Sequence, residues 1–211
     1  MGHAEPNDAR PFLPERPSLT ALREAVQGCR GCHLWRGATQ AVFGEGRKRA
    51  RLMLVGEQPG DKEDLAGKPF VGPAGRELDR GLEAAGIDRA DAYVTNVVKH
   101  FKFEERGRRR IHQTPRRFEI AACMPWLEEE LRVVAPDAVV LLGSVAAKAL
   151  LGSSFRVTRH RGELIDSDLA PILSATIHPS AILRAPDDAA RSRERAAFAE
   201  DLRVVAQALG R

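Results

Sequence analysis

The chain has 211 residues and a formal net charge of +4, with 43% hydrophobic and 29% charged residues, which is typical of one globular domain with a sizeable core. No apolar run approaches the roughly 20 residues of a membrane span, and the N-terminus lacks the apolar core of a signal peptide. These features exclude a membrane protein and predict a cytoplasmic one, whose three cysteines are thiols or metal ligands rather than disulfides. The positive charge is clustered, which favours a polyanionic partner.

The N-terminal segment is rich in proline and charge and contains little apolar surface. We expect residues 1–17 to form a flexible arm in front of a domain that spans residues 18–211. A helix is predicted to begin after Ser18, which can cap it, and to end at Gly28.

A Cys-x-x-Cys-His motif, Cys29 to His33, follows this helix. It is also the attachment signature of a c-type haem, but such attachment normally requires export. A redox pair would usually follow a strand and open a helix, whereas this motif follows a helix. The third interpretation is half of a metal site, for which Cys123 is the only other thiol in the chain and a histidine or carboxylate would complete the set. The candidate histidines are His33, His100, His160 and His178.

Runs of apolar residues alternate with amphipathic stretches along the rest of the chain. Buried strands are predicted at residues 52–55, 92–100, 136–143 and 171–177, and helices at 76–86, 114–131, 145–151 and 186–209. A further short strand is expected after residue 163. This order predicts a single three-layer α/β/α domain with a central, mostly parallel four-stranded sheet.

Polar side chains stand at the ends of three of these strands. Glu57 and Gln58 follow the first strand, Asn96 interrupts the second, and His178 follows the last. Ligands of open α/β sheets bind just beyond the carboxyl ends of the strands, so these residues are candidates for a binding or catalytic site. A buried asparagine must also satisfy its amide, either structurally or by contacting a ligand.

Two intervening loops add an aromatic residue and clustered charge. Phe70 lies in a segment dense in Gly and Pro, where it could plug the core or stack on a ligand. His112 lies among arginines and aromatic residues between Phe101 and Arg117, a composition that favours a phosphate-binding loop over a merely solvated face. Together, the amide, imidazole, aromatic, carboxylate and guanidinium groups are what an enzyme needs to hold a flipped base and its phosphates.

At these residues the chain resembles the iron-sulfur branch (family four) of the uracil-DNA glycosylase superfamily, from about Cys29 to Leu209. Its first motif resembles Gly-Glu-Gln-Pro-Gly at 56–60, its uracil-reading strand resembles Asn-Val-Val-Lys at 96–99, and its second motif resembles His-Pro-Ser at 178–180. The chain departs from family four at His100, where that family has Cys, and at Gln58, where Ala is common. Both departures, with the inserted Arg-Arg-Arg-Ile-His, resemble the UdgX type, whose members become covalently attached to uracil-containing DNA.

The resemblance implies that the protein excises uracil and becomes linked through His112 to the resulting abasic sugar, so that it turns over once. It also implies a [4Fe-4S] cluster, with Cys29, Cys32, His100 and Cys123 as its ligands. The implied catalytic residues are His112, Glu57 and His178, and the implied uracil contacts are Gln58, Phe70, Asn96 and His178. The implied DNA contacts are Arg108, Arg109, Arg110, Ser180, Leu183 and Arg184. The expected protein is a monomer that acts at the nucleoid on single-stranded and double-stranded uracil-containing DNA.

Two other functions remain open. A metal-stabilised nucleic-acid-binding module without chemistry would explain the basic loop but not the polar residues at the strand ends. An ordinary multiple-turnover glycosylase would explain the strand ends, but the insertion from Arg108 to His112 argues against it.

Overall fold

The computed structural model describes residues 8–210. The strands are β1 (Leu52–Gly56), β2 (Ala92–Asn96), β3 (Phe103–Arg106), β4 (Arg109–His112), β5 (Ala138–Leu142) and β6 (Ile172–Thr176). The helices are α1 (Leu19–Ala25), α2 (Asp61–Ala66), α3 (Pro73–Ala84), α4 (Arg117–Val134), α5 (Ser144–Leu151), α6 (Val157–His160), α7 (Pro179–Leu183) and α8 (Asp188–Leu209). Within the described part of the chain, none of these helices has the length and apolar character needed to cross a bilayer.

The central sheet has four strands in the order β2-β1-β5-β6, and every neighbouring pair is parallel. β1, β2 and β5 are buried along their whole length. Burial on both faces explains the continuous apolar sequences of β1 and β5, whereas β2 ends in the buried polar residues Thr95 and Asn96. The sheet confirms the predicted three-layer α/β/α domain, and it is parallel throughout rather than mostly parallel.

Alternate residues of β1 enter the two halves of the core. Met53 and Val55 pack in the half that contains Trp126 of α4, whereas Leu52 and Leu54 pack in the half that contains helices α3 and α8. Side chains of a strand point alternately to its two faces, so a five-residue strand supplies both layers. Because every neighbouring pair is parallel, all four strands present their carboxyl ends at one edge of the sheet.

Several element boundaries differ from the sequence predictions. β2 ends at Asn96 because the next two backbone N–H groups donate to the carbonyls of Gly56 and Glu57, which turns the chain across the end of β1. The arginine-rich segment is a two-stranded antiparallel hairpin, β3–β4, with Gly107 in its turn at φ 61°. The short strand expected after residue 163 is a single bridge between Leu164 and Ser174.

The predicted N-terminal arm differs from the structure over residues 8–17. Ala9 is only 1% exposed, and its N–H donates to the carbonyl of Ala122 in α4 at 2.9 Å. A 3-10 turn, Arg10–Phe12, follows and packs Phe12 against the core. The part of the predicted arm from residue 1 to residue 7 lies outside the described residues.

Candidate active site

A cleft of about 810 Å³ opens at the carboxyl ends of the central strands. It collects most of the residues that the sequence predicts to bind or act on a base, although they come from distant parts of the chain. These residues are Glu57, Gln58, Phe70, Asn96, His112, His178, Ser180, Leu183 and Arg184. The predicted DNA contacts Arg108, Arg109 and Arg110 lie outside the cleft, in a shallower groove beside the hairpin.

Glu57 and His112 meet at the centre of the cleft. The Oε1 atom of Glu57 lies 3.5 Å from Nε2 of His112, and this buried oxygen accepts no hydrogen bond from the described residues. Burial raises the pKa of Glu57 to about 7, against a lowering effect of Arg184. Burial and then Arg184 lower the pKa of His112. Near neutral pH the pair can therefore combine a neutral imidazole with a carboxyl group poised to gain or lose a proton.

The hairpin that carries His112 is fastened by Arg110. Its guanidinium donates to Asp61 at 2.7 Å and to Asp64 at 2.6 Å, and it lies over the rings of Phe101 and Phe103 at 5.5 and 5.0 Å. The sequence predicts that Arg110 contacts DNA, but in the structure its charge is neutralised by these carboxylates. Arg110 therefore has a structural role, and its contact with DNA, like those of the exposed Arg108 and Arg109, stays a prediction.

Gln58 fastens the other end of the same hairpin. Its Nε2 donates to the carbonyls of Lys102 and Gln113 at 3.2 and 3.1 Å, and its Oε1 accepts from the Lys102 N–H at 3.0 Å. Gln58 therefore holds the base of the hairpin, and its predicted contact with uracil stays a prediction.

Asn96 and Phe70 form one wall of the cleft. Asn96 is 2% exposed, and its Oδ1 has no hydrogen-bond partner among the described residues. A Cβ at Gly56 would lie 2.4 Å from this oxygen and 2.6 Å from Cζ of Phe70. Glycine at position 56 therefore leaves room for the Asn96 amide and the Phe70 ring to lie together. A buried amide oxygen without a hydrogen-bond partner costs about 1–3 kcal/mol.

A buried ion pair that the sequence analysis missed supports Asn96. The ammonium group of Lys99 is fully buried against Glu130 and also donates to the backbone carbonyl of Asn96 at 2.7 Å. Glu130 in turn accepts from Tyr93, Thr95 and the Gly44 N–H. The sequence feature that indicates this ion pair is a lysine inside an apolar run, since a buried ammonium requires a buried partner.

His178 is oriented by two polar neighbours. Its Nδ1 accepts from the Ser180 N–H at 3.2 Å and lies 2.8 Å from the Ser180 hydroxyl, which itself accepts from Arg184 at 2.9 Å. A backbone N–H can only donate, so the ring proton lies on Nε2. Burial, His112 and Arg184 lower the pKa of His178 to about 4, which makes it a neutral hydrogen-bond donor. Ser180 and Arg184, predicted as DNA contacts, here orient His178.

The three cysteines are buried on the side of the sheet that packs against α4. Trp126 Nε1 donates to the Cys29 sulfur at 3.2 Å, and the Lys99 N–H donates to the Cys123 sulfur at 3.3 Å. Burial raises the pKa of Cys123 to about 12, opposed by Lys99, with smaller raising effects from the neighbouring thiols of Cys32 and Cys29. Across residues 8–210, no three His, Cys, Asp or Glu side chains converge as ligands of one metal ion.

The four candidate histidines for this site have different surroundings. His100 directly follows Lys99, is 5% exposed, and has its pKa lowered to about 4 by burial. His33 lies 3.3 Å from Glu119 with its side chain 47% exposed, and His160 pairs with Glu163 at the surface. His178 belongs to the cleft. Of the four, His100 is buried and directly follows the residue whose N–H donates to the Cys123 sulfur.

Comparison with known proteins agrees with this architecture. Residues 43–203 match the family model described as the uracil DNA glycosylase superfamily. The chain is 37% identical over 175 residues to a type-4 uracil-DNA glycosylase of Pyrobaculum aerophilum, covering 80% of this chain and 86% of that protein. It is 38% identical over 167 residues to the type-4 enzyme of Thermotoga maritima, covering 79% and 83%. A type-5 uracil-DNA glycosylase of Pyrobaculum aerophilum is 30% identical over 182 residues, covering 78% and 76%. The chain belongs to the uracil DNA glycosylase superfamily.

Proposed function

We propose that this protein excises uracil from DNA and then captures the resulting sugar covalently through His112, so that each molecule acts once. The observation that carries the proposal is the approach of His112 Nε2 to Glu57 Oε1 at 3.5 Å, inside the cleft that also contains Asn96 and His178. This buried oxygen has no hydrogen-bond partner among residues 8–210. The proposed substrates are uracil-containing single-stranded and double-stranded DNA, acted on by a monomer in the cytoplasm at the nucleoid.

Base recognition is assigned to three residues of the cleft. The amide of Asn96, whose buried Oδ1 has no partner within the described part of the chain, would pair with the amide edge of the flipped uracil. Phe70 would stack on its face. His178 would donate its Nε2 proton to the uracil carbonyl on which negative charge collects as the bond breaks.

The proposed capture step breaks the glycosidic bond and forms a bond from His112 to the sugar. The bond between the anomeric carbon and the base nitrogen breaks, and its electron pair leaves with uracil as an anion stabilised by His178. A lone pair of the neutral His112 imidazole then forms a bond to the anomeric carbon. The proton on the other ring nitrogen passes to the carboxylate of Glu57, which also stabilises the positive charge that develops on the ring.

A [4Fe-4S] cluster is proposed at Cys29, Cys32, Cys123 and His100. Support comes from the buried soft donors, from the N–H groups that donate to two of the sulfurs, and from the buried neutral imidazole. When bound, the cluster would supply ligation energy that fastens the Cys29–Cys32 turn to α4. Anaerobically purified protein should contain iron and sulfide at about four each per chain; stoichiometric zinc or a metal-free, fully folded protein would contradict the assignment.

The decisive experiment for capture is a denaturing gel of the protein mixed with a labelled uracil-containing single strand. Wild type should form a denaturant-resistant adduct, which His112→Ala should abolish. The matched control is His160→Ala, because His160 is an exposed histidine outside the cleft. Uracil release without an adduct in the wild type would identify an ordinary turnover glycosylase, and binding without release would identify a non-catalytic module. An adduct mapped to another residue by mass spectrometry would refute the role of His112.

A further inference from the structure

The carboxylate of Glu63 joins two of the loops that form the cleft. The first loop, residues 57–60, follows β1, and the second loop, residues 67–72, precedes α3. Oε2 of Glu63 accepts from the Gly60 N–H at 3.1 Å, and its Oε1 accepts from the Gly72 N–H at 2.7 Å. Glu63 is 8% exposed and lines the cleft. One buried side chain therefore fixes the second loop to the first.

Capping of one helix explains only half of this arrangement. Glu63 is the third residue of α2, and a glutamate at that position commonly reaches back to the N–H of the residue before the helix, here Gly60. Gly72 stands in the same position before α3. A carboxylate at the amino ends of two helices is stabilised by both helix dipoles. The bond to Gly72 is not needed to cap α2, so it indicates a role in placing the second loop.

Phe70, in the second loop, has an unusual backbone conformation. Its φ is 55°, in the left-handed region that residues other than glycine rarely adopt. Its carbonyl oxygen lies so close to α3 that a Cβ at Gly75 would overlap with it. A residue keeps such a strained conformation only where its surroundings hold it, and strained residues cluster at functional sites. The bond from Gly72 to Glu63, two residues after Phe70, is one such restraint.

The Phe70 ring is held beside the groups that are assigned to read the base. A Cβ at Gly56 would lie 2.6 Å from its Cζ, and the ring centre lies 5.9 Å from that of His178. A ring that is already in place loses little conformational freedom when a base stacks on it. We propose that Glu63 is a positioning residue for base stacking, which holds the second loop against the first so that the ring is in place before the base arrives. The inference rests on the proposed stacking of uracil on Phe70.

The test measures uracil release with the enzyme in excess. Glu63→Gln keeps the size of the side chain but has one acceptor oxygen in place of two. Its release rate constant should fall roughly tenfold, which corresponds to the loss of one base–aromatic stack. In a Phe70→Ala background the same change should alter the rate constant less than about twofold, because no ring remains to be positioned. A merely structural role would lower the amplitude of the reaction, and would do so equally in both backgrounds.

A second variant and a matched control separate positioning from general destabilisation. Gly72→Ala disturbs the same link from the other loop, because its methyl group would lie 2.9 Å from Glu63 Oε1, and it should slow release to the same extent. The control is Glu77→Gln, which changes a buried carboxylate that joins α3 to Arg195 of α8 outside the cleft. It should lower the melting temperature without changing the release rate constant.

Amide hydrogen exchange of the free protein gives a readout that does not depend on the reaction. The Gly72 N–H should exchange faster in Glu63→Gln than in wild type, whereas the amides of β1 should exchange as in wild type. A wild type that released no uracil but showed this exchange pattern would refute the proposed function and leave the Glu63 link intact. Unchanged exchange at Gly72, or an equal loss of rate in the wild-type and Phe70→Ala backgrounds, would overturn the inference.

Discussion

Replacing Gln58 with alanine should separate covalent capture from base release. The change removes three hydrogen bonds between the Gln58 amide and the backbone of Lys102 and Gln113, which flank the β3–β4 hairpin. Each such bond contributes about 1 kcal/mol net, and water can replace part of the loss because these groups are only partly buried. We therefore expect the free energy of unfolding to fall by about 1–2 kcal/mol, with the loosened hairpin no longer holding His112 in place.

Capture should respond far more strongly than stability. A displacement of about 1 Å at a reacting group can cost roughly 100-fold in rate, so single-turnover adduct formation by Gln58→Ala should fall by about that factor. Uracil release should fall less than about tenfold, because Asn96 and His178 are carried by the central sheet and its loops rather than by the hairpin. Adduct is measured on a denaturing gel and released base by chromatography from the same reaction.

Two comparisons make this prediction refutable. Gln27→Ala removes an amide that donates to the backbone carbonyl of Ala41 rather than to the hairpin, and it should affect neither rate. Gln58→Glu keeps the acceptor for the Lys102 N–H but loses both donors, so it should behave like alanine rather than wild type. An equal loss of adduct formation and uracil release in Gln58→Ala would show that Gln58 acts on the base, contrary to the hairpin role.

Three further predictions concern the cleft. The raised pKa of Glu57 means that its carboxylate forms only as pH rises through about 7, so the adduct-formation rate should increase across that range and Glu57→Gln should abolish the increase. Ser180→Ala removes the hydroxyl beside His178 Nδ1 and should slow uracil release about tenfold with little change in substrate affinity, a split visible in single-turnover titrations. Gly56→Ala places a methyl group against the Asn96 amide and should eliminate uracil release while lowering the melting temperature; full activity in any of these variants would contradict its assignment.

The fold was predictable because its central strands follow the simplest pattern. Parallel strands buried on both faces are mainly apolar, and three of the four are buried along their whole length. The end of β2 was harder to predict, since residues 97–100 remain buried after the strand has ended. Their burial comes from the turn across β1 and from packing near Cys123, neither of which changes the apolar pattern.

The cleft residues were predictable for a topological reason, whereas their partners were not. Strand ends converge in any parallel sheet, so Glu57, Asn96 and His178 could be placed together without coordinates. The hairpin was misread as a loop because its residues are too polar for a core element. Its inner face is held by Arg110, whose partners Asp61 and Asp64 are 49 and 46 residues away in the sequence. The spacing of these residues in the sequence does not predict such a contact.

The hairpin, α2 and Gln58 depend on one another, because their polar side chains are one another's hydrogen-bond and charge partners. Asp64 is fully buried, and its carboxylate is offset by Arg110 and by the Thr39 N–H. A hairpin lacking Arg110 would leave that charge buried and short of its cation, which typically costs about 3–5 kcal/mol. A chain with Asp64 but no hairpin would incur the same cost. His112 is therefore held opposite Glu57 by a scaffold that favours one position of the hairpin. The proposed capture of a short-lived sugar cation before water would require such a fixed position.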